Sequence, residues 1–235
     1  MLEIQGLEVS YGHFQVLWGI DLKVREGQVV CLLGPNGAGK STIMNAVTGL
    51  VARQGGRVLL GGEDLADIPT YAMAGRGLIH VLERRRLFPS LSIRQNLILG
   101  SYNPEARRHR DETLAWVQSL FPLLKERADE RAGVLSGGQQ QVVAIARGLM
   151  GRPRLMMIDE PFLGLSPVAV EEIVNVIRRI NETGVTILFT EQNVQLALSF
   201  SDHGYLLESG KIVLSSSGRE MLEHEMVRKV YLGFA

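Results

Sequence analysis

The sequence predicts an α/β fold with a mainly parallel sheet, entered through an antiparallel β subdomain and interrupted by an α-helical one. Three observations predict it. Two short all-apolar runs, Val29-Val30-Cys31-Leu32-Leu33 and Leu155-Met156-Met157-Ile158, have the composition of central parallel strands buried on both faces. Near the start, Leu2, Ile4, Leu7, Val9 and then Ile20, Leu22, Val24 alternate with polar residues, as antiparallel strands with one wet face do. From about Arg84 to Gly133 the apolar spacing turns helical.

Taken in order, Glu26-Gly27 turns the chain into the first buried strand, which runs into a glycine-rich loop and a helix over Ser41–Leu50. Arg57–Leu60 with Gly61-Gly62 reads as a hairpin strand. The helical stretch divides into Ile93–Gly100, Pro104–Leu120 and Leu123–Ala132, and a further helix starts at Ser136. After the second apolar strand come a helix near Pro167–Asn181 and a strand at Val185–Phe189. Tyr205–Leu207 and Lys211–Leu214, joined at Glu208-Ser209-Gly210, form a closing hairpin, and two short helices end the chain. The expectation is one domain over residues 1–235, with residues 84–133 as an inserted helical subdomain.

The chain has 235 residues, 46% of them hydrophobic, enough for one sizeable core with a small insertion. Lysine plus arginine number 25 and aspartate plus glutamate 25, so no global charge points to nucleic acid or to a membrane surface. Arg84-Arg85-Arg86 and Arg107-Arg108-His109-Arg110 are local basic runs; they read as solvated faces, the first also as the lining of a protein interface. Cys31 is the single cysteine, which excludes a disulfide framework and fits a reducing cytosol. No secretory signal or spanning segment is read, so a membrane role is expected to come through partners.

The chemistry lies in three places. Gly34-Pro35-Asn36-Gly37-Ala38-Gly39-Lys40-Ser41 fits G-x-x-x-x-G-K-S/T between a strand and a helix. Its glycines let backbone N–H groups, those of Asn36, Gly37, Ala38 and Gly39 among them, turn toward phosphate oxygens. Lys40 supplies a point charge for the β- and γ-phosphates, Ser41 a hydroxyl for Mg²⁺, and Thr42 a second donor, all at the positive end of a helix. Asp159-Glu160 closes the second apolar strand, where parallel sheets bind ligands. Asp159 is expected to hold Mg²⁺, and Glu160 to orient and deprotonate the attacking water. Third, Leu135-Ser136-Gly137-Gly138-Gln139 opens a helix: Ser136 and Gln139 have capping-box spacing, and Gly137 and Gly138 leave its first N–H groups exposed.

Phosphate loop, Leu-Ser-Gly-Gly-Gln and an apolar strand ending Asp-Glu-Pro, in that order from Leu2 to about Gly233, resemble an ABC-type ATPase subunit with a P-loop NTPase core. The resemblance implies ATP and Mg²⁺ as ligands, with the Ser136, Gly137, Gly138 and Gln139 surface contacting the γ-phosphate held by an opposite subunit. It implies that Tyr11 stacks on adenine, with Val16 packed beside the base. Glu83 stands where most relatives carry a glutamine sensing Mg²⁺ and the water, Gln192 where most carry a γ-phosphate-binding histidine, and Ser166 where most carry an aspartate. Occurring together, these departures resemble the second ATPase subunit of branched-chain amino-acid importers. The implied partners are a second ATPase subunit, two permeases and, indirectly, a solute-binding protein, with the chain at the cytoplasmic face of the cell membrane. Two other readings are an ABC ATPase serving urea, amide or lipid-related transport and a nucleotide-gated interaction module with little hydrolysis.

Overall fold

The computed structural model describes residues 1–231; the last of the residues matched by resemblance, around Gly233, lie outside it. The chain divides into two compact units, Met1–Thr70 together with the chain from Thr186 onward, and Tyr71–Val185.

In the first unit, β1 (Leu2–Tyr11) and β2 (Phe14–Val24) form an antiparallel hairpin, and β4 (Gly55–Leu60) and β5 (Glu63–Asp64) complete a four-stranded sheet in the order β2-β1-β4-β5. The alternation read from the sequence is the burial pattern: Leu2, Ile4, Leu7, Val9, Leu17, Ile20, Leu22 and Val24 are all buried. The register slips between Ile4 and Leu7, so one bulged strand carries both apolar pairs on its inner face. β3 (Val29–Leu33) is buried at every position. It pairs in parallel with β8 (Thr186–Glu191) on one side and β9 (His203–Glu208) on the other, and β10 (Lys211–Ser217) closes antiparallel on β9. α1 (Lys40–Val47), α8 (Val194–Leu198), α9 (Gly218–Glu223) and α10 (Glu225–Val230) complete this unit.

The second unit has the parallel pair β6 (Leu78–Val81) and β7 (Leu155–Ile158). Its helices are α2 (Ile93–Leu99), α3 (Pro104–Arg108), α4 (Arg110–Leu120), α5 (Pro122–Glu126), α6 (Gly137–Leu149) and α7 (Pro167–Glu182). α7 buries Ile173, Val174, Val176, Ile177 and Ile180 along one stripe, each contributing roughly 1.5–3 kcal/mol of apolar burial.

Two expectations need correction, and two elements were not expected. The helix read over Pro104–Leu120 breaks at His109, whose φ of −103° ends α3 and whose backbone caps α4. The helix read over Leu123–Ala132 is only Pro122–Glu126: the chain leaves the helical conformation at Arg127, φ −110° and ψ 23°, and the Arg127 side chain turns to Glu130 and Gln139. The four-residue strand β6 and the short helix α8 were not anticipated: both are too short to show a period.

Candidate functional site

In the first unit the phosphate-binding loop hangs from the end of β3. Gly34 has a φ of 145°, and a Cβ there would lie 2.2 Å from the Leu207 carbonyl oxygen, so the loop passes too close to β9 for any side chain. Gly39 caps α1 in a left-handed conformation, φ 109°. Ala38 is buried, and its carbonyl accepts from Gly210 N at 3.0 Å, fastening the loop to the tip of the β9–β10 hairpin. Lys40 is 5% exposed, and its Nζ donates to the carbonyls of Gly34 (2.8 Å) and Pro35 (3.3 Å). Asn36 and Gly37 are exposed at the loop crest, Ser41 is half-buried and Thr42 buried in the first turn of α1. Cys31, beneath the loop, is fully buried, and burial pushes its thiol up to about 12.

The same unit brings Gln192 and Val16 to this loop's end of the structure and also carries Tyr11. Leu33 of β3 pairs with Glu191 of β8, so Gln192 leaves its strand at the edge from which the loop also emerges. The Glu191 carboxylate accepts from the backbone N–H groups of Gln192 (2.7 Å) and Asn193 (2.9 Å), and the Asn193 side chain caps α8. This scaffold holds the turn and leaves the Gln192 side chain exposed. Val16 is half-buried, its Cγ1 lying 3.7 Å from where a Cβ of Gly39 would be. Tyr11 is half-exposed at the end of β1, opposite Phe14, which is 72% exposed. Sequence reading passed over Phe14, whose cross-strand position beside Tyr11 depends on a two-residue turn at Gly12-His13.

In the second unit, β6 and β7 run in parallel with Val81 opposite Ile158, and Asp159 N donates to Val81 O at 2.9 Å. Glu83, Asp159 and Glu160 therefore leave their strands at one sheet edge. Asp159 is 5% exposed. Glu160 has a φ of +47°, a conformation unfavourable for a side-chain-bearing residue by roughly 1–2 kcal/mol; such strain clusters at functional sites. The Glu83 carboxylate accepts from Arg84 Nε at 3.2 Å. Behind this edge lies His80, unremarked in the sequence. Both of its ring nitrogens are buried without a partner among the described residues, and burial drives its pKa down to about 4 against the opposing pull of Asp159.

The signature segment folds as its spacing demands. Ser136 Oγ accepts from Gln139 N (3.3 Å), and Gln139 Oε1 accepts from Ser136 N (3.1 Å). As an acceptor in the cap, the exposed Ser136 hydroxyl keeps its own proton to donate. Gln139 is held in the cap and by Arg127 (3.0 Å), so its contribution is to shape the tip. Gly138 is buried so closely against α7 that a Cβ would lie 2.8 Å from Ala169 Cβ, and Gly137 lies under the Arg85 guanidinium. Ser166, in place of the family's aspartate, caps α7 through Ala169 N.

The donors expected for Mg²⁺, the Ser41 hydroxyl and the Asp159 and Glu83 carboxylates, are hard oxygens, which fit this cation. Among the described residues no group of three or more His, Cys, Asp or Glu forms a cage of its own. Mg²⁺ usually keeps several waters and takes one or two carboxylates with substrate phosphates.

Comparison with known proteins bears on the family and the fold. The ABC transporter family model matches residues 17–163. The chain is 37% identical to the high-affinity branched-chain amino acid transport ATP-binding protein BraG of Pseudomonas aeruginosa, over 99% of this chain and 100% of that one. It is 32% identical to the lipopolysaccharide export system ATP-binding protein LptB of Haemophilus influenzae, over 99% and 97%. Among solved structures, a nucleotide-free ATP-binding cassette from an ABC transporter superposes with a TM-score of 0.86 at 27% identity, covering 100% of this chain and 99% of that one. The dimeric cassette MJ0796 bound to ADP and Pi does so with a TM-score of 0.77 at 26% identity, covering 93% and 99%. A family match over more than half of the chain, with full-length likeness to ATP-binding subunits, makes this chain a member of the ABC transporter family and an ATP-hydrolysing cassette.

Proposed function

We propose that the chain is the ATP-hydrolysing motor of an importer of branched-chain or other hydrophobic amino acids. The observation that carries this reading is the 37% identity to BraG along the whole of both chains, joined to the Glu83, Gln192 and Ser166 departures. The chain acts as a single ABC ATPase domain, with residues 84–133 as its helical subdomain and the signature helix starting after Ser136.

The substrate is MgATP. Tyr11 and Val16 receive the base. The N–H groups of residues 36–39 and the Lys40 ammonium, redirected from its loop carbonyls, receive the β- and γ-phosphates, with Thr42 as a further donor. Ser41 and Asp159, with Glu83, hold Mg²⁺, which when bound offsets phosphate charge. Glu160 orients the attacking water and takes its proton, and Gln192 donates one neutral hydrogen bond to the γ-phosphate.

The nucleotide also meets Ser136, Gly137 and Gly138, shaped by Gln139, of a second ATP-binding subunit. Two cassettes therefore close while the γ-phosphate bridges them and reopen after its release. Closure passes to integral-membrane permeases along Glu83–Pro89, where Phe88 is exposed, as is Leu82 just before it. Among the described residues no helix is long and apolar enough to cross a membrane; the chain sits at the cytoplasmic face through its permeases and serves a solute-binding protein indirectly.

Glu160→Gln in the assembled complex tests the chemistry: turnover should fall about 10²–10⁴-fold while ATP still binds, and an unchanged rate of phosphate release would remove Glu160 from its role. The 32% identity to LptB favours lipid-related transport as the second reading. Co-purification with a permease and an amino-acid-binding protein supports the first reading; a lipid-binding assembly supports the second.

A further inference from the structure

We infer that Arg85 is an additional binding residue for the terminal phosphate of ATP, acting on the nucleotide held by the opposite subunit. The inference rests on the proposal that the Ser136 tip receives that phosphate, and deepens it.

Four observations on the second unit carry it. The Arg85 guanidinium lies against the first residue of α6: a Cβ on Gly137 would be 3.3 and 3.5 Å from its two terminal nitrogens and 3.6 Å from its central carbon. Arg85 is half-buried, whereas Arg84 and Arg86 beside it are exposed. Arg84 has a carboxylate, Glu83 at 3.2 Å; Arg85 has no ion pair among the described residues, and its one side-chain hydrogen bond is a long one to Leu163 O at 3.5 Å. Finally, the backbone that presents it is fixed from behind. Residues 84, 85 and 86 have φ of 63°, 63° and 47°, and Arg147 donates to the carbonyls of Arg86 (2.8 Å) and Arg85 (3.1 Å).

Two positive features meet at this tip. The N-terminus of α6 carries the positive end of the helix dipole, where an anion is stabilised and a cation is not. A guanidinium resting there adds like charge to like, offset in part by the Glu172 carboxylate, whose Oε2 lies 3.9 Å from where a Cβ of Gly138 would be. A terminal phosphate arriving at Ser136 and Gly137 relieves both, and a guanidinium is the side chain whose planar fork matches phosphate oxygens. The bond to Leu163 O, in the loop that leads to Ser166, is weak enough in length to be exchanged for a phosphate oxygen. Arg85 is thus read as part of the anion site, and only secondarily as a surface cation.

The test uses the full chain in a Glu160→Gln background, so that ATP persists, with association followed by sedimentation in MgATP and in MgADP. Arg85→Gln should weaken ATP-dependent association about tenfold or more, the loss of a charge-assisted hydrogen bond. Arg85→Lys should fall between, because it keeps the charge and loses the fork. Association in ADP, the nucleotide-free thermal midpoint and ATP binding by the dilute chain should stay as in the reference. Ser136→Ala in the same background is the arm for the parent reading. If Ser136→Ala weakens association and Arg85→Gln does not, the inference about Arg85 is overturned and the shared site stands. If neither does, or the reference fails to associate in ATP, the shared site falls and Arg85 with it. A drop in thermal midpoint, or equal loss in ADP, assigns Arg85 to packing and also overturns the inference.

Discussion

Replacing His80 with phenylalanine isolates one buried base from the rest of the pH response. Its ring nitrogens are buried without partners among the described residues, which lowers its pKa from 6.5 to about 4. The unfolded chain takes up this proton near pH 6.5, and the folded chain refuses it until about pH 4. Between those values the unfolded state binds more protons, so stability falls as the pH is lowered and the loss is complete near pH 4. At about 1.4 kcal/mol per pH unit, the difference is about 3 kcal/mol. Phenylalanine preserves the ring and removes both nitrogens. Urea unfolding of the nucleotide-free chain in chelator, from neutrality to about pH 4.5, should therefore show a steeper decline for the wild type than for His80→Phe. Glu3, Asp64, Glu130 and Glu220 are held below the usual carboxylate range by side-chain hydrogen bonds. Their contribution is lost only at lower pH and is common to both proteins. Parallel curves for the two proteins, or a His80 imidazole titrating near its ordinary value by NMR, would refute the reasoning.

Three other outcomes follow from the site. Gly34→Ala places a methyl group 2.2 Å from the Leu207 carbonyl at a φ of 145°; overpacking and backbone strain together should cost about 2–4 kcal/mol and abolish ATP binding, measured by thermal unfolding and fluorescent-nucleotide titration. Gln192→His should raise ATPase activity of the assembled complex, because histidine can become cationic beside phosphate; an unchanged or lower rate counts against the role given to Gln192. Cys31 should resist alkylation at mildly alkaline pH in the folded chain, since its thiol is fully buried and shifted up to about 12, and react only once the chain is unfolded.

What could be read in advance was whatever neighbouring residues decide among themselves. The phosphate loop, the Asp159-Glu160 strand end and the Ser136–Gln139 capping box depend on spacings of a few residues, and each has the local structure its spacing implies. The alternating strands were legible because one side of each faces water. β6 was not, since Leu78-Ile79-His80-Val81 is too short to show a period and contains a polar ring. The break at His109 has no strong punctuating residue, whereas Phe121-Pro122 carried a signal that the reading followed in ending one helix at Leu120 and starting the next at Leu123. The remaining surprises join residues far apart along the chain. Arg85 over Gly137, Ala169 against Gly138, and Leu207 against Gly34 are products of packing, and no spacing announces them. The positive φ of Glu160 is likewise imposed by its surroundings.

The fastening of the phosphate loop by the tip of the last hairpin has a consequence for biosynthesis. β3 leaves the ribosome before β9, one of its two parallel neighbours, and the Ala38 carbonyl awaits Gly210. Contacts so distant along the chain form late. A nascent polypeptide stalled after Phe200 would own every residue proposed to meet ATP and still lack the contact that fastens the phosphate loop. The brace on the phosphate loop is therefore added only once β9 and Gly210 have been made.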